Sequence, residues 1–380
     1  MKNKFMRISF FFLSLTLVIL FIAPLYCLSS SGLPSVSAEC SVLIEADGGK
    51  IIFQKNADKR RPMASTTKIM TALIALEHCN LDKIVTVSKD AVGIEGSSIY
   101  LIPEERLTIE QLLYALMLES ANDAAAAIAI DIAGSIEGFA AMMNEKVKQL
   151  GLTDTNFTNP HGLYDEQHYT TAYELAIITA EALKYPKFKE IVSTGKKTIP
   201  LQKTGGVRLL INHNKLLRIY SDAIGVKTGF TKKSGRCLVS AAERDGVQLI
   251  ACTLNAPNDW NDHIAMLNYG FNRLEYVSLA EPGEHSFTIP VVGGTLSLIE
   301  CTNTKSYGLT VERNNNNVTH EIDLRRFYFA PIKKGEILGR IIYYNNGEKI
   351  AEIPLVAAFD VPVKPPQKNF WQRLFPFIKH

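Results

Sequence analysis

A block of helix-like sequence between two β-rich stretches is the feature that most constrains the fold of this chain. Residues 40–59 have the pattern of a hairpin, with two β-rich runs around Asp47-Gly48-Gly49. Helical patterns follow, among them the Ala-rich run 124–134 and a helix introduced by the capping box Thr108–Gln111. Residues 196–256 then return to strand and hairpin patterns. This order predicts an α+β fold, in which helices pack on an antiparallel sheet.

The remaining C-terminal sequence predicts a second, smaller domain. After a first domain over residues 39–276, residues 283–363 combine Gly and Asn turns with short alternating runs, which is typical of a small β-sandwich. Residues 364–380 form a Pro-containing linker and an amphipathic tail, NFWQRLFPFIKH, rich in aromatic and basic side chains. Such a tail suits the surface of a membrane. The alternative is a tail that packs on its own domain.

The first 38 residues have the composition of a secretory signal peptide. Three basic residues, Lys2, Lys4 and Arg7, precede a long apolar run, and small residues ending in Ala38 follow it. We expect cleavage after Ala38, although an apolar run of roughly 20 residues is also long enough to remain as a transmembrane anchor. Both alternatives place the rest of the chain outside the cytoplasm.

The overall charge and the cysteines exclude some classes of function. The 380-residue chain has a formal net charge of only +3 and no basic stripe with interleaved aromatic residues, so nucleic-acid binding has no support. Five cysteines follow residue 38, which is an odd number, and their spacings match no metal site. Cys237 and Cys252 fall on the two strands of one predicted hairpin, but we expect buried free thiols. No metal or cofactor is predicted.

The tetrapeptide Ser65-Thr66-Thr67-Lys68 precedes a helical pattern and allows two interpretations. Ser65 has the position of an N-cap residue. It also has the spacing of a nucleophile, because positions i and i+3 share a helix face and serine needs a base within hydrogen-bond reach. Lys68 can act as that base if burial or a second cation lowers its pKa. A second copy of the spacing, Ser193 to Lys196, follows a helix end and is treated as chance.

Ser120-Ala121-Asn122 lies on a short connection between two predicted helices. Its hydroxyl and amide groups can both face a cleft, where Ser120 relays a proton and Asn122 holds an amide of the substrate. The alternative is structural, because Ser120, Asn122 and Asp123 are all common N-cap residue types for the Ala-rich helix that follows.

The tripeptide Lys-Thr-Gly occurs twice in the chain. Lys203-Thr204-Gly205 lies at a predicted hairpin turn, which would leave Lys203 in solvent. Lys227-Thr228-Gly229 ends a strand-like run, which can aim Lys227 and Thr228 along the edge of a cleft while Gly229 lets substrate backbone approach. We therefore select Lys227-Thr228-Gly229 as the functional copy.

Taken together, Ser65-Thr66-Thr67-Lys68, Ser120-Ala121-Asn122 and Lys227-Thr228-Gly229 resemble the motif set of the penicillin-recognising serine enzymes. The resemblance is closest to the low-molecular-mass penicillin-binding proteins that are D-alanyl-D-alanine carboxypeptidases, and it covers about residues 40–271. It includes the segment NFTNPHGL around His161. The family fold that it implies is an antiparallel sheet flanked by helices with an inserted helical cluster, plus a C-terminal β domain.

The resemblance also implies a role for each motif residue. Ser65 would be acylated by the penultimate D-alanine carbonyl of a peptidoglycan stem peptide, with Lys68 as the general base. Ser120 and Asn122 would assist proton transfer and substrate placement. Lys227 would bind the terminal carboxylate and help to keep Lys68 neutral.

The same resemblance implies the remaining parts of the site. Thr228 and Gly229 would assist substrate binding, and the backbone N–H groups of Ser65 and Phe230 would form an oxyanion hole. β-Lactams would mimic the substrate and acylate Ser65. The implied location is the extracytoplasmic face of the bacterial cell membrane, where peptidoglycan is found.

Three alternatives share this set of motifs. A class A-like β-lactamase needs a Glu near the acyl ester, but Glu174 lies within a helical pattern. A muropeptide endopeptidase of the same fold and a non-catalytic penicillin-binding sensor remain open. His161 is interpreted as structural, since serine–lysine chemistry needs no histidine, and Arg236 either assists carboxylate binding or lies on the surface.

Overall fold

Helices and strands follow each other in blocks along the part of the chain that the computed structural model describes, residues 32–201, 205–313 and 317–366. The strands of the first domain are β1 (Cys40–Glu45), β2 (Ile51–Lys55), β3 (Ile84–Thr86), β4 (Arg106–Thr108), β5 (Lys196–Leu201), β6 (Gly206–Ile211), β7 (Ala223–Thr231), β8 (Gly235–Arg244) and β9 (Val247–Leu254). The described α-helices are α1 (Lys68–His78), α2 (Ile109–Leu118), α3 (Asn122–Ala133), α4 (Ile136–Gln149), α5 (Ala172–Leu183), α6 (Pro186–Ser193), α7 (Leu216–Ile219) and α8 (Asp259–Arg273).

A five-stranded antiparallel sheet forms the centre of the first domain. Its strand order is β2-β1-β9-β8-β7, so the two predicted hairpins, β1–β2 and β8–β9, are pairs of adjacent strands. The turn between β8 and β9 places Asp245 and Gly246 at φ values of 48° and 81°, as a two-residue type I′ turn requires. The predicted antiparallel sheet is confirmed.

Helices cover both faces of this sheet, because successive residues of a strand point to opposite faces. On β1, Val42 and Ile44 belong to the main core cluster, which also contains the apolar residues of α1, α2 and α3. Leu43 between them belongs to a second cluster with Met266 and Leu267 of α8. The helix block predicted between the strands therefore lies on one face, and α8 covers the other.

The predicted capping box begins α2. The N–H of Gln111 donates to Thr108 Oγ1 at 3.2 Å, and the N–H of Thr108 donates to Gln111 Oε1 at 3.0 Å. Helix α3 ends at Gly134, whose φ of 78° turns the chain, and α4 follows at an angle of 83°. Among the described helices none is by itself long and apolar enough to cross a membrane, and the bent pair α3–α4 passes that test only when both are taken together.

The cysteines of the described ranges are free thiols, as expected: Cys40, Cys79, Cys237, Cys252 and Cys301. In the β8–β9 register Cys252 lies opposite Val239, so the two thiols of this hairpin are not paired across the strands. Burial raises the pKa of the Cys237 thiol to about 11, which keeps it protonated near neutral pH.

The C-terminal part of the described chain is the predicted β-rich domain. Its strands are β10 (Leu274–Ala280), β11 (Ser286–Val292), β12 (Leu298–Thr302), β13 (Tyr307–Glu312), β14 (Val318–Leu324), β15 (Tyr328–Phe329), β16 (Ile337–Asn345) and β17 (Glu348–Ala357). A six-stranded sheet has the order β14-β16-β17-β12-β11-β15, and β10 pairs with β13 in a smaller sheet. Both sheets contribute to one core, with Leu279 from β10 and Ile299, Ile341 and Leu355 from the larger sheet.

A buried carboxylate fastens the start of the first domain to its last helix. Asp262 of α8 accepts hydrogen bonds from the N–H of Ser37 at 2.9 Å, the hydroxyl of Ser37 at 2.8 Å and the N–H of Ala38 at 3.0 Å. The described chain from Ser35 onward belongs to one compact unit. The predicted signal peptide lies mostly outside the described residues, but its last four residues, Ser35 to Ala38, belong to this unit.

Candidate active site

Ser65 lies in a short 3₁₀ turn, Ala64–Thr67, that runs directly into α1. The capping role considered for Ser65 is wrong, because Met63 and Thr67 occupy the cap positions of the turn and the helix, and neither side chain caps a backbone N–H. The Ser65 hydroxyl instead accepts a hydrogen bond from Lys68 Nζ at 3.1 Å. The i to i+3 spacing therefore places nucleophile and amine in contact, as predicted.

The segment around His161 packs against this turn. Thr71 Oγ1 donates to the carbonyl of Pro160 at 2.6 Å, and Lys68 Nζ donates to the carbonyl of His161 at 2.6 Å. Gly162 has a φ of +91°, and a Cβ there would lie 1.9 Å from the carbonyl oxygen of Ala64. Only glycine allows this approach of two backbones, so residue 162 fixes the position of the nucleophile turn.

We therefore expect Gly162→Ala to weaken both the fold and acylation. The new methyl group overlaps a carbonyl and the backbone is held at positive φ, so the free energy of unfolding should fall by about 2 kcal/mol or more. Urea unfolding and the rate of labelling by fluorescent penicillin measure the two effects. Gly151→Ala is the matched control, because Gly151 has a φ of +70° but no atom within 4 Å of its added Cβ. Equal losses in both variants would contradict this role of Gly162.

The buried side chain of His168 also contacts the 3₁₀ turn that contains Ser65. Thr158 N–H donates to His168 Nδ1 at 3.0 Å, so the neutral ring carries its proton on Nε2 and donates it to Thr67 Oγ1 at 2.8 Å. Burial lowers the pKa of His168 to about 4, which keeps this arrangement at neutral pH. The sequence contained no signal for this contact, because His168 and Thr67 are 101 positions apart.

Lys68 is fully buried and has three oxygen acceptors. Besides Ser65 Oγ and the His161 carbonyl, its Nζ contacts Asn122 Oδ1 at 2.7 Å. Burial and the positive charge of Lys227 lower the pKa of Lys68 well below its usual range, although the carboxylate of Asp123 opposes this shift. The two causes that the sequence analysis required for a basic lysine are therefore both present.

The Ser120-Ala121-Asn122 motif lies at the start of α3, but it does not cap that helix. Ala121 holds the N-cap position without a side-chain hydrogen bond, so the alternative capping role is wrong. Asn122 uses its Oδ1 for Lys68 and donates from Nδ2 to the carbonyl of Glu95 at 2.5 Å. Ser120 has a φ of +59° and lies at the edge of the cleft described below. Ser120 lies in the connection between α2 and α3, where its positive φ turns the chain beside that cleft.

Strand β7 brings the selected Lys-Thr-Gly copy to the nucleophile turn. A Cβ at Gly229 would lie 3.1 Å from the backbone nitrogen of Ser65, which is a tight contact, so glycine favours this close approach. Lys227 is only 2% exposed, and its Nζ donates to the carbonyl of Thr228 at 3.0 Å. Burial lowers the pKa of Lys227 to about 7. The side chain of Lys227 is therefore less exposed to solvent than the sequence analysis expected for a residue at the edge of a cleft.

An open cleft of about 470 Å³ lies over these elements. Its lining residues, of those the structure describes, are Ser65, Ser97, Ser120, His213, Thr228, Gly229, Phe230, Arg236, Asp259 and Trp260. Lys68, Asn122 and Lys227 are buried and are not among them. The sequence analysis missed Ser97, His213, Asp259 and Trp260, because none belongs to a motif and only the folded chain brings them to the cleft.

Two carboxylates that could act as a base near the cleft, Asp259 and Glu174, already form an ion pair or hydrogen bonds with other residues. Asp259, the one carboxylate that lines the cleft within the described ranges, forms an ion pair with Arg236 at 2.9 Å. Arg236 therefore faces the cleft with its side chain 43% exposed. Glu174 accepts hydrogen bonds from the N–H groups of Thr153 and Asp154, both from 2.8 to 2.9 Å, and does not line the cleft.

The second copy of the Ser-to-Lys spacing lies outside the cleft. Ser193 ends α6, its hydroxyl donates to the carbonyl of Glu190 at 3.1 Å, and Lys196 is the exposed first residue of β5. The Ser193 to Lys196 spacing therefore forms no contact of the kind seen at Ser65. Lys203 and Thr204 fall outside the described residues, so their rejection remains a prediction.

Comparison with known families gives two matches that together span most of the chain. A family model described as D-alanyl-D-alanine carboxypeptidase matches residues 29–258. A second model, described as the C-terminal domain of penicillin-binding protein 5, matches residues 275–363. The two matches correspond to the helix-and-sheet domain and to the β-rich domain.

Individual relatives agree with these models. The chain is 35% identical to the D-alanyl-D-alanine carboxypeptidase DacF of Bacillus subtilis, with 85% of this chain and 86% of that protein covered. It is 31% identical to DacC of Escherichia coli, with 91% and 88% covered. The crystal structure of penicillin-binding protein 5 from Haemophilus influenzae superimposes with a TM-score of 0.67 at 28% identity, covering 87% of this chain and 99% of that one.

Proposed function

Because this chain belongs to the D-alanyl-D-alanine carboxypeptidase family, we propose that Ser65 is its acylated nucleophile and Lys68 its general base. The chain is a serine-type D-Ala-D-Ala carboxypeptidase, a hydrolase of the penicillin-binding class. The observation that carries the residue assignment is the 3.1 Å contact between Nζ of the fully buried Lys68 and Oγ of Ser65, which lines the cleft.

The acceptors around Lys68 support its action as a base. A neutral amine has two N–H groups and one lone pair. The carbonyl oxygens of His161 and Asn122, at 2.6 and 2.7 Å, take the two N–H groups. When Lys68 is neutral, its hydrogen bond with Ser65 therefore reverses direction, and the hydroxyl donates to the lone pair of Nζ. Lys68 removes this proton as Oγ attacks the substrate carbonyl.

The remaining steps use the edge of the cleft. Attack by Ser65 Oγ on the penultimate D-alanine carbonyl gives a tetrahedral intermediate, and the proton then passes from Lys68 to the leaving amine of the terminal D-alanine. Ser120, which lines the cleft, is placed to relay that proton, and Asn122 holds Lys68 in position. Water hydrolyses the acyl-enzyme in the same way, with Lys68 again as the base.

We assign stabilisation of the oxyanion in the tetrahedral intermediate to two backbone N–H groups, those of Ser65 and Phe230. Ser65 and Phe230 both line the cleft, and a Cβ built on Gly229, the residue before Phe230, would lie 3.1 Å from the Ser65 nitrogen. Donors fixed by the backbone need little reorganisation as negative charge develops, which is the main advantage of an oxyanion hole.

Two cationic side chains are candidates for binding the terminal carboxylate of the substrate. Lys227 supplies positive potential from beneath the cleft surface, and Thr228 and Gly229 lie in front of it. Arg236 faces the cleft directly and is oriented by Asp259. We assign the main contribution to Lys227 and Thr228, with Arg236 as an additional contact.

The alternative enzymes have less support. A β-lactamase needs a base for rapid deacylation, but Glu174 is hydrogen-bonded away from the cleft and Asp259 is paired with Arg236. The intact contacts of Ser65 and Lys68 argue against a non-catalytic sensor. Relatives named for carboxypeptidase activity argue against an endopeptidase.

Assays on a pentapeptide substrate test this proposal. The purified enzyme should release D-alanine from a stem pentapeptide, and penicillin should accumulate as one covalent adduct with slow turnover. Fast catalytic hydrolysis of penicillin would instead identify a β-lactamase. Cleavage of cross-linked muropeptides without D-alanine release would identify an endopeptidase, and penicillin binding without any peptide cleavage would identify a sensor.

The cell-wall substrate places the working enzyme on the outer side of the cytoplasmic membrane. We propose that residues 1–38 direct export and that residues 364–380 associate with the membrane surface. The composition of these two segments supports the proposal. Except for residues 32–38 and 364–366, they lie outside the described part of the chain.

A further inference from the structure

Three segments of the β-rich domain expose apolar side chains at one edge of its larger sheet. The six residues, called here the apolar tip, have exposed fractions from 46% to 67%: Val292, Leu296, Leu298, Phe327, Phe329 and Val363. Most other large apolar residues of this domain form the core between the sheets, and the remaining exposed ones in the described ranges are Tyr276, Ile322, Ile337 and Phe359. A group of exposed apolar side chains of this kind is typical of a surface that binds another protein or a membrane.

Hydrogen bonds join the three segments, so the tip is one structural feature. Strand β15 lies beside β11 at the sheet edge, with Val292 paired to Phe329. The N–H of Lys364 donates to the carbonyl of Gly293 at 2.8 Å, which ties the third segment to the first. The rings of Phe327 and Phe329 contact each other edge to face with centroids 5.4 Å apart. The described backbone therefore holds these exposed side chains on neighbouring segments.

Basic residues surround the apolar tip. Arg325, Arg326, Lys333, Lys334 and Lys364 are all exposed and lie on the same segments. In the described ranges, none of these five cations forms an ion pair, whereas Arg340 on the neighbouring strand pairs with both Asp323 and Glu352. Positive charge without a carboxylate partner, next to aromatic side chains, suits anionic lipid headgroups.

We propose that the apolar tip inserts into the interface of an anionic phospholipid bilayer as a second membrane contact, separate from the C-terminal tail. The described chain ends at Pro366, only three residues after Val363, so the tail begins at the tip itself. That tail contains Trp371 and Phe375 with basic neighbours. One short amphipathic segment gives weak, reversible binding, and two adjoining contacts give stable attachment.

Co-sedimentation with lipid vesicles tests the proposal on the chain from Ser35 to His380. The vesicles contain phosphatidylcholine with roughly 30% phosphatidylglycerol, since anionic lipid is the expected partner. In a Trp371→Ser/Phe375→Ser background, which weakens the tail, vesicle binding should persist. Adding Phe327→Ser and Phe329→Ser should lower the partition coefficient at least tenfold, because the aromatic surface no longer leaves water. Binding should also fall with added salt.

The matched control is Ile322→Ser, a 46% exposed residue on β14 at the opposite edge of the same sheet, which should leave vesicle binding unchanged. Penicillin labelling in every sample reports an intact catalytic domain, so failure of the catalytic assignment is distinguished from failure of this one. Loss of all binding in the tail-weakened chain would overturn the proposal, as would binding insensitive to Phe327 and Phe329. Concentration-dependent dimers dissociated by the tip substitutions would overturn it in favour of a second copy.

Discussion

Ser65→Ala is expected to abolish both penicillin labelling and D-alanine release, with kcat/KM falling by about four orders of magnitude or more. The hydroxyl forms the only covalent bond to the substrate in the proposed mechanism, and alanine leaves Lys68 with nothing to deprotonate. Mass spectrometry of the penicillin adduct measures the effect directly, because it locates the modified serine.

Ser193→Ala is the matched control for this result. It changes the same residue type at the same spacing from a lysine, but its hydroxyl contacts only the carbonyl of Glu190 at the end of α6. Labelling and D-alanine release should therefore stay within about twofold of the wild type. Equal losses in the two variants, or an adduct on a serine other than Ser65, would refute the assignment of the nucleophile.

Lys227→Met is expected to lower kcat/KM for D-alanine release on the order of 10²-fold. Methionine keeps most of the buried volume but removes the positive charge beneath Thr228 and Gly229, so the substrate carboxylate loses its main electrostatic partner. The loss should be smaller for a substrate without that carboxylate. Steady-state kinetics on a stem pentapeptide and on its C-terminal amide separate the two cases.

The pH dependence gives a second test of Lys227. Its pKa in the free enzyme is about 7, so the positive charge fades as the pH rises through that value and KM for a carboxylate substrate should increase. The folded pKa lies below the unfolded value of 10.5, so the unfolded chain binds more protons between these limits. The free energy of unfolding should therefore rise with pH in this window. Lys227→Met should reduce that slope and leave the part that comes from Lys68, whose pKa is also lowered.

Lys203→Met is the matched control for both measurements. It changes the other Lys-Thr-Gly copy, which the sequence places at a hairpin turn. Neither kcat/KM nor the pH dependence of stability should change. A large loss of kcat/KM in Lys203→Met, with little loss in Lys227→Met, would instead assign the binding of the substrate carboxylate to Lys203-Thr204-Gly205.

The order of the elements and the main motifs could be predicted from sequence, because they depend on local patterns. The β8–β9 hairpin follows from Asp245-Gly246 between two β-rich runs, and the start of α2 follows from its capping box. Ser65 and Lys68 are one helical turn apart, so their contact also follows from spacing. These predictions needed no knowledge of residues distant in the chain.

Contacts between distant residues could not be predicted in this way. Nothing in the sequence shows that the carbonyl of His161, rather than its ring, contacts Lys68, since backbone groups carry no residue-specific signal. The positive φ of Ser120 and the burial of Lys227 also depend on packing from several elements. Residue types alone left capping open as an alternative at Ser65 and Ser120, but neither side chain caps a helix and both residues line the cleft.

The pairing of β1 with β9 has a consequence for the order in which the catalytic domain is completed. Strand β1 is the first strand made, and β9 is the last strand of its sheet along the chain. The nucleophile turn likewise depends on β7 for its partner Gly229. Such nonlocal pairings form slowly, because closing the long intervening chain costs entropy first. If residues 1–38 direct export as proposed, we expect the emerging chain to stay inactive until β9 has also crossed the membrane.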